Sequence, residues 1–352
     1  MKILYFGTYN PNYARNKVLI NGLKQSGVEV LECKVLPTGF FSFITLFFKY
    51  WRFFNKYDFM LVGFPGQEIM FLARFLTRKP IIFDAFTSHY GGYILDRQYY
   101  SPKSFRAKYY RFLDKWSCKL ADLVLLDTNA HIDFFVREFG LPREKFRRIF
   151  VGTDSDIFYP RNGKKSDDKF LVHFHGHYIP LQGVKYIIQA AKILEKENIT
   201  FNLIGRGQTF EEDRKLAENL GLKNIDFIDK ISYDKLSNYM ARADVCLGIF
   251  GDSPKTELVI PNKVYEALAM GKPVITANTK AVREFLIDGV NAFLCPKADA
   301  QRLAEKILFV RDNPAIADRM AKNGFKLFEE RLKEKNLGRE LLRYIKNEKT
   351  AL

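Results

Sequence analysis

Residues 253–276 read S-P-K-T-E-L-V-I-P-N-K-V-Y-E-A-L-A-M-G-K-P-V-I-T, a loop followed by a short helix and a buried strand. Pro261 has a fixed φ and no N–H, which suits a helix entry, and Asn262 is a good capping residue. Val264, Ala267 and Leu268 can face a core. Gly271 ends the helix, Lys272 and Pro273 stop its continuation, and V-I-T begins the strand. Such a helix start offers unpaired N–H groups and a partial positive charge to an anion. Lys255 and Lys263 add full charges there, and Glu266 stands about one turn in. Phosphate joined to a hydroxyl-bearing sugar is the ligand chemistry these groups match.

Working outward, the second half alternates strands and helices. Strands are expected at 170–175, 200–204, 225–228, 245–250, 273–277 and 292–295. Val184, Ile187, Ile188, Ala191 and Leu194 form an i, i+3, i+4, i+7 stripe for the first intervening helix. His173, His175 and His177 stand at alternate positions, so a strand would put them on one face. A zinc set lacks a fourth ligand there and runs off the strand end into Gly176, so we read them as polar groups near a ligand or as partly buried histidines. The loop G-H-Y-I-P-L-Q-G (176–183) carries Gly176, His177 and Gln182 into a helix N-terminus. L-I-G-R-G-Q (203–208) sets Gly205 beside Arg206 at another strand end, where backbone can approach a ligand and a guanidinium can grip phosphate. With 253–276, these make three anion-suited loops on one sheet edge.

The first half follows the same plan. A strand at 2–6 meets Gly7, and the loop G-T-Y-N-P-N-Y-A-R-N brings Tyr9, Arg15 and Asn16 to the first βα turn, in the crevice where open sheets bind ligands. Segment 34–56 is rich in Phe and holds Tyr50 and Trp51; its charges are Lys34, Lys49, Arg52 and Lys56, with no acid. It suits a membrane interface, or an amphipathic helix whose aromatics enter the core. Further strands are expected at 58–63 and 80–84 around a helix at 67–76. Asp84 then leads into a polar, glycine-bearing loop with Ser88 and His89. A basic helix at 102–120, a strand at 121–127, a helix at 131–139 and a sixth strand at 148–151 complete the half. Beyond it, 151–169 loses apolar periodicity and collects Pro, Gly and charges, which marks a domain junction. Asp154 and Asp156 lie at that junction rather than among strand ends, which argues against a metal clamp. Two doubly wound α/β domains, 1–157 and 158–332, are therefore expected to face a ligand cleft.

Composition agrees. The 352 residues exceed one usual core, and 47% apolar with 27% charged content is globular. No stretch approaches the ~20 apolar residues of a membrane span. The opening M-K-I-L-Y-F-G runs straight into a strand pattern without a cleavage site. Cys33, Cys118, Cys246 and Cys295 are dispersed in apolar runs, as buried thiols of a reducing compartment would be. Net charge is +16, and residues 1–157 carry 23 Lys/Arg against 14 Asp/Glu, so the chain suits acidic partners. The basic residues form no single stripe and the first turn lacks G-x-G-x-x-G, which disfavours nucleic-acid or dinucleotide binding.

N-K-V-Y-E-A-L-A-M-G-K-P-V-I-T, with L-I-G-R-G, A-R-A-D-V-C-L, D-G-V-N-A-F-L-C-P and G-T-D-S-D-I-F-Y-P, resembles the family 4 glycosyltransferases of the GT-B fold over nearly the whole chain. The resemblance implies two Rossmann-like domains and retaining transfer from a nucleotide diphosphate sugar, with no metal or other cofactor. It implies an acceptor domain at 1–157 and a nucleotide-sugar domain at 158–332, with a tail helix at 333–352 packing back on the first. Glu266 would bond the ribose hydroxyls, the backbone around Asn262 and Lys263 would receive the diphosphate, and the loop to Ile231 would border the base. Asp84 and His89 are the candidate catalytic groups, and Gly7, Tyr9, Arg15, Asn16 and Ser88 the candidate acceptor contacts. The implied acceptor is a lipid-linked glycan of a cell-surface polysaccharide, met at an anionic membrane surface on the cytoplasmic side. Two motifs depart from the family's pattern. Leu258 stands where a paired glutamate is usual, with Glu257 one place off. His177 and Gln182 stand where the family often has Arg and Lys, which leaves Lys255, Lys263 or Arg206 to supply the charge. Within enzymes, a nucleotide-sugar epimerase or a sugar phosphorylase of the same fold is the alternative.

Overall fold

The computed structural model describes residues 1–36, 39–163 and 168–351. Residues 37–38 and the Phe40 side chain of the aromatic segment, 164–167 of the expected junction, and 352 of the tail lie outside the described residues. The chain forms two compact units, one of Met1–Thr153 with Leu332–Leu352 and one of Asp154–Arg331.

The first unit runs β1 (Lys2–Gly7), α1 (Ala14–Gln25), β2 (Glu29–Lys34), α2 (Phe40–Tyr50), β3 (Phe59–Val62) and α3 (Ile69–Leu76). It continues with β4 (Ile81–Phe86), α4 (Phe105–Leu120), β5 (Leu123–Leu126), α5 (Asn129–Phe139) and β6 (Phe146–Arg148). The six strands are parallel in the order β2-β1-β3-β4-β5-β6. Phe-Met-Leu-Val in β3 and Leu-Val-Leu-Leu in β5 are buried at every position, as strands covered on both faces must be. β6 begins and ends earlier than the expected 148–151. The carbonyls of Ile149 and Phe150 turn instead to the Arg15 guanidinium, at 2.7 and 3.0 Å. The loop expected after Asp84 also differs, since Gly91–Asp96 is a wide helical turn. Asp114, the acid of basic helix α4, anchors its entry by accepting from Ser88 Oγ at 2.6 Å and from the amides of His89 and Tyr90 at 3.0 and 2.9 Å.

The second unit runs β7 (Phe170–His175), α6 (Val184–Ile193), β8 (Ile199–Ile204), α7 (Phe210–Asn219), β9 (Ile225–Ile228) and α8 (Tyr233–Arg242). β10 (Val245–Leu247), α9 (Asn262–Ala269), β11 (Val274–Ala277), β12 (Phe293–Cys295), α10 (Ala300–Asp312) and α11 (Pro314–Leu327) follow. The parallel order is β12-β11-β10-β7-β8-β9, so the winding reverses between β7 and β10. Such a reversal leaves a crevice at the carboxyl ends of the two strands. The α6 stripe of Val184, Ile187, Ile188 and Ala191 is buried, together with Leu194. β10 stops short of the expected 250 because Phe250 and Gly251 donate to Gln182 O and Leu181 O, at 3.0 and 3.1 Å, tying the two crevice loops together.

Chain order ends with α12 (Glu334–Ala351), which packs on α1 within the first unit. The crossing is closed by glycines: a Cβ on Gly338 would lie 2.0 Å from Gly22 O, and one on Gly22 would lie 2.3 Å from Glu334 O. Right-handed crossovers put α1 on one face of the first sheet and α2 to α5 on the other, and α2, α3, α4 and α5 pack in that sequence. All four cysteines are buried and free.

Candidate functional site

Three loops of the second unit meet at the β7 and β8 strand ends. Gly205, at φ 132°, has no room for a side chain, because a Cβ would stand 2.0 Å from Gly176 O. A Cβ on Gly251 would stand 2.1 Å from Pro180 O. Backbone therefore touches backbone from 176 to 183, from 205 to 207 and at 250–251, and α9 begins beside them.

The α9 start differs from expectation in one respect. Pro261, not Asn262, holds the cap position with extended geometry (φ −71°, ψ 150°), and no side chain caps the helix. The proline side chain offers no acceptor; Val264 N donates to Pro261 O at 3.0 Å, and the amides of Asn262 and Lys263 are the first-turn N–H groups left to a ligand. Lys263, in that first turn, is 5% exposed. Its ammonium donates to Gln182 Oε1 and lies 4.5 Å over the Phe174 ring. A Cβ on Gly176 would come within 2.9 Å of Lys263 Nζ, so that glycine makes the ammonium's room. Burial pushes the Lys263 ammonium down to about 7, against the pull of Glu266.

Glu266, one turn further and on the same helical face, is 1% exposed. Its carboxylate accepts from Tyr233 Oη at 3.0 Å and pairs with His175 Nε2 at 2.7 Å. His175 Nδ1 in turn meets His173 Nε2 at 3.0 Å. A carboxylate accepts only, so His175 Nε2–H donates to Glu266. His173 Nδ1 then ends the chain with no partner among the described residues. Burial, with the charges of Lys263, Arg242 and Lys272 after it and after His175, holds His173 well below the usual histidine range. The β7 histidines thus bond each other and Glu266, and the exposed His177 lies outside this chain.

Other expected donor contacts lie apart from this cluster. Arg206 pairs two-pronged with Asp229, Nε–Oδ1 3.0 Å and Nη2–Oδ2 3.1 Å, reaches Glu211 at 3.3 Å and stacks on Phe210. Its charge is already balanced by two carboxylates. Lys255 sits half-buried in the turn Pro254–Glu257, and Ile231 half-buried between β9 and α8. Glu257 accepts from Lys280 N at 3.1 Å and pairs with Lys297 at 3.2 Å, while Leu258 packs against Leu181, Ile249 and Val259.

In the first unit the candidates take other places than the sequence gives them. Asp84, expected as a catalytic group, is fully buried in a two-pronged ion pair with Arg15, expected as an acceptor contact. Asn16 is buried and accepts from Tyr5 Oη at 2.9 Å while donating to the carbonyls of Asn10 and Phe64. Tyr9 is buried against Tyr5 and reaches Glu32 at 3.3 Å. Ser88 donates to Asp114, as above. All five are engaged by partners inside the unit. Gly7 keeps the unusual φ of 145° at the β1 end. His89 stays half-exposed, stacked on Tyr93 and Tyr110.

Compared with known proteins, residues 156–327 match the glycosyl transferases group 1. The second unit belongs to that family. The chain is 26% identical over 183 residues to the uncharacterized glycosyltransferase MJ1178 of Methanocaldococcus jannaschii, covering 50% of this chain and 46% of that protein. It is 24% identical over 207 residues to the capsular polysaccharide biosynthesis glycosyltransferase CapM of Staphylococcus aureus, covering 57% and 51%. The chain thus spans about half the length of these curated relatives. HepE of Anabaena, crystallised with UDP-glucose, superposes over 99% of this chain and 100% of its own with a TM-score of 0.73 at 20% identity. The fold is GT-B. The Lys263–Glu266 cluster lies wholly within the group 1 match.

Proposed function

We propose that the chain is a retaining glycosyltransferase, moving a sugar from a nucleotide diphosphate sugar to a lipid-linked glycan acceptor in making a cell-surface polysaccharide. The observation that carries this is the pairing, one turn apart on α9, of a buried ammonium at an uncapped helix start with a buried carboxylate. The ammonium and helix N–H groups fit a diphosphate, and the carboxylate fits the two hydroxyls of a ribose. HepE, which shares the fold, was crystallised with UDP-glucose, and CapM is named for capsular polysaccharide biosynthesis, which support donor and pathway class.

Breaking the anomeric bond leaves negative charge on the β-phosphate. Prearranged N–H dipoles and the Lys263 cation stabilise that charge as it develops, so the step needs no metal ion. The diphosphate, arriving beside Lys263, raises the depressed ammonium pKa and keeps it charged through the step. Acceptor attack from the leaving-group face then retains the anomeric configuration. The work is placed on the cytoplasmic face of the membrane, where nucleotide sugars are supplied.

A thermal-shift panel of nucleoside diphosphates and their sugars tests the reading, because a ligand binding the native state alone raises its melting temperature. One nucleoside diphosphate and its sugar should stabilise the chain. Turnover of a nucleotide sugar without acceptor, or of a glycan with inorganic phosphate, would replace transferase by epimerase or phosphorylase. No shift with any nucleotide would refute the reading.

A further inference from the structure

The face of the first sheet covered by α2, α3 and α4 carries large side chains on its outside as well as its inside. On α2, Leu46 and Tyr50 are buried, while Phe41 and Phe48 are 74% and 67% exposed. On α3, Met70 and Ala73 are buried, while Phe71 and Phe75 point out, the latter 80% exposed. On α4, Ala107 and Leu113 are buried, while Phe105, at 84%, and Phe112 are exposed. The spacing in each helix is i, i+4 or i, i+7, so each set is a stripe along one helical face. The stripes join, since α2 packs on α3 and α3 on α4, and Phe71 stacks on Phe112 with ring centroids 6.3 Å apart. A continuous exposed apolar face of this extent is rare on a soluble monomer and marks a contact surface.

Charge says what the contact is. Across α2, α3 and α4 the sole acidic side chain is Asp114, which is buried beneath Ser88. Lys49, Arg106, Lys108 and Lys119 are exposed on the same helices, with Arg52, Arg78 and Lys103 just beyond their ends. Glu68, just before α3 and beside Tyr109, is the acid at the edge of this face, outnumbered by these seven cations. Aromatic rings flanked by such an excess of cations match a lipid headgroup layer of negative charge. Among the described residues no helix is long and apolar enough to cross a membrane.

We propose that α2, α3 and α4 form one docking face that lies on an anionic lipid surface, with Phe41, Phe75 and Phe105 entering the headgroup layer. This deepens the lipid-linked acceptor reading but rests on the first unit alone, so nucleotide binding by the second unit can hold or fail separately.

The test is flotation of the full chain with vesicles of phosphatidylcholine alone and of phosphatidylcholine mixed with phosphatidylglycerol. The chain should float with the anionic vesicles, less so at high salt. Partition should fall about fivefold for each cation neutralised in Arg52→Gln, Arg78→Gln and Lys108→Gln. The triple variant Phe41→Ser, Phe75→Ser, Phe105→Ser should stay at the bottom of the gradient. All six positions are exposed, so melting temperature and nucleotide-induced stabilisation should match the native chain and separate lost docking from lost folding. No flotation, or equal flotation of native and variant chains, overturns the proposal. So does a native dimer that the phenylalanine variant converts to monomer without change in lipid binding, which would assign the face to a second copy.

Discussion

Replacing Lys263 by Met should make the empty protein more stable while removing donor binding. The ammonium is 5% exposed, and burial lowers its pKa from 10.5 to about 7. At about 1.4 kcal/mol per unit, that shift means roughly 5 kcal/mol of unfavourable burial when the group is charged. The folded pKa lies below the unfolded one, so between pH 7 and 10.5 the unfolded chain holds more protons and stability rises with pH. The penalty is therefore full below pH 7 and gone above about 10.5. Methionine matches the side chain in length but strands Gln182 Oε1, a loss of about 1–3 kcal/mol. A net gain of roughly 2 kcal/mol or more remains at neutral pH. Urea unfolding of native chain and Lys263→Met, at pH 7 and near pH 10, reads it out. The gain should be clear at the lower pH and vanish or reverse at the higher. A destabilised variant at neutral pH, or a gain that does not depend on pH, would refute the buried-ammonium reasoning. So would a variant that keeps its affinity for nucleoside diphosphates.

Three further outcomes follow from the geometry. His173 is held neutral below the usual 6.5, so the unfolded chain binds more protons at acid pH and stability should fall as pH drops through that value; His173→Phe should flatten this limb of a stability–pH curve. Arg15→Leu leaves Asp84 buried without its partner and should cost about 3–5 kcal/mol in denaturant unfolding, with nucleotide affinity below the transition unchanged. Gly338→Ala forces a Cβ to within 2.0 Å of Gly22 O, so amide exchange in α12 and α1 should accelerate together while the second unit stays protected.

Much of the fold is legible in sequence because parallel strands buried on both faces read as short continuous apolar runs. Phe170–His175 and Ile225–Ile228 fall where the pattern puts them, and the α6 stripe is buried as its spacing requires. Strand ends are less legible where the chain leaves the sheet for a non-local partner, as at Phe250, whose amide joins Gln182 O, and at Ile149, whose carbonyl joins Arg15. The site is partly legible. Gly176, Gly205, Gln182, Lys263 and Glu266 meet, since their spacing follows from loops at strand ends and one helical turn. Asp84 and Arg15 mislead because a polar pair next to a strand end reads the same whether it faces a ligand or its own partner. Tyr233 gives no signal at all: its bond to Glu266 joins the start of α8 to α9 across 33 residues, which no local pattern encodes. The exposed stripes of α2 and α4 are visible in composition, but only packing shows that α3 joins them.

The central claim is that Glu266 holds the ribose of a nucleotide donor. Calorimetry decides it most directly, comparing a nucleoside diphosphate with its 2′,3′-dideoxy counterpart on native chain and on Glu266→Ala. Two hydrogen bonds to a carboxylate predict a loss of about 100-fold or more in affinity for the ribose form on substitution. The native preference for ribose over dideoxyribose should disappear in the variant. Equal losses for both ligands, or an unchanged preference for ribose in a folded Glu266→Ala chain, would contradict the account.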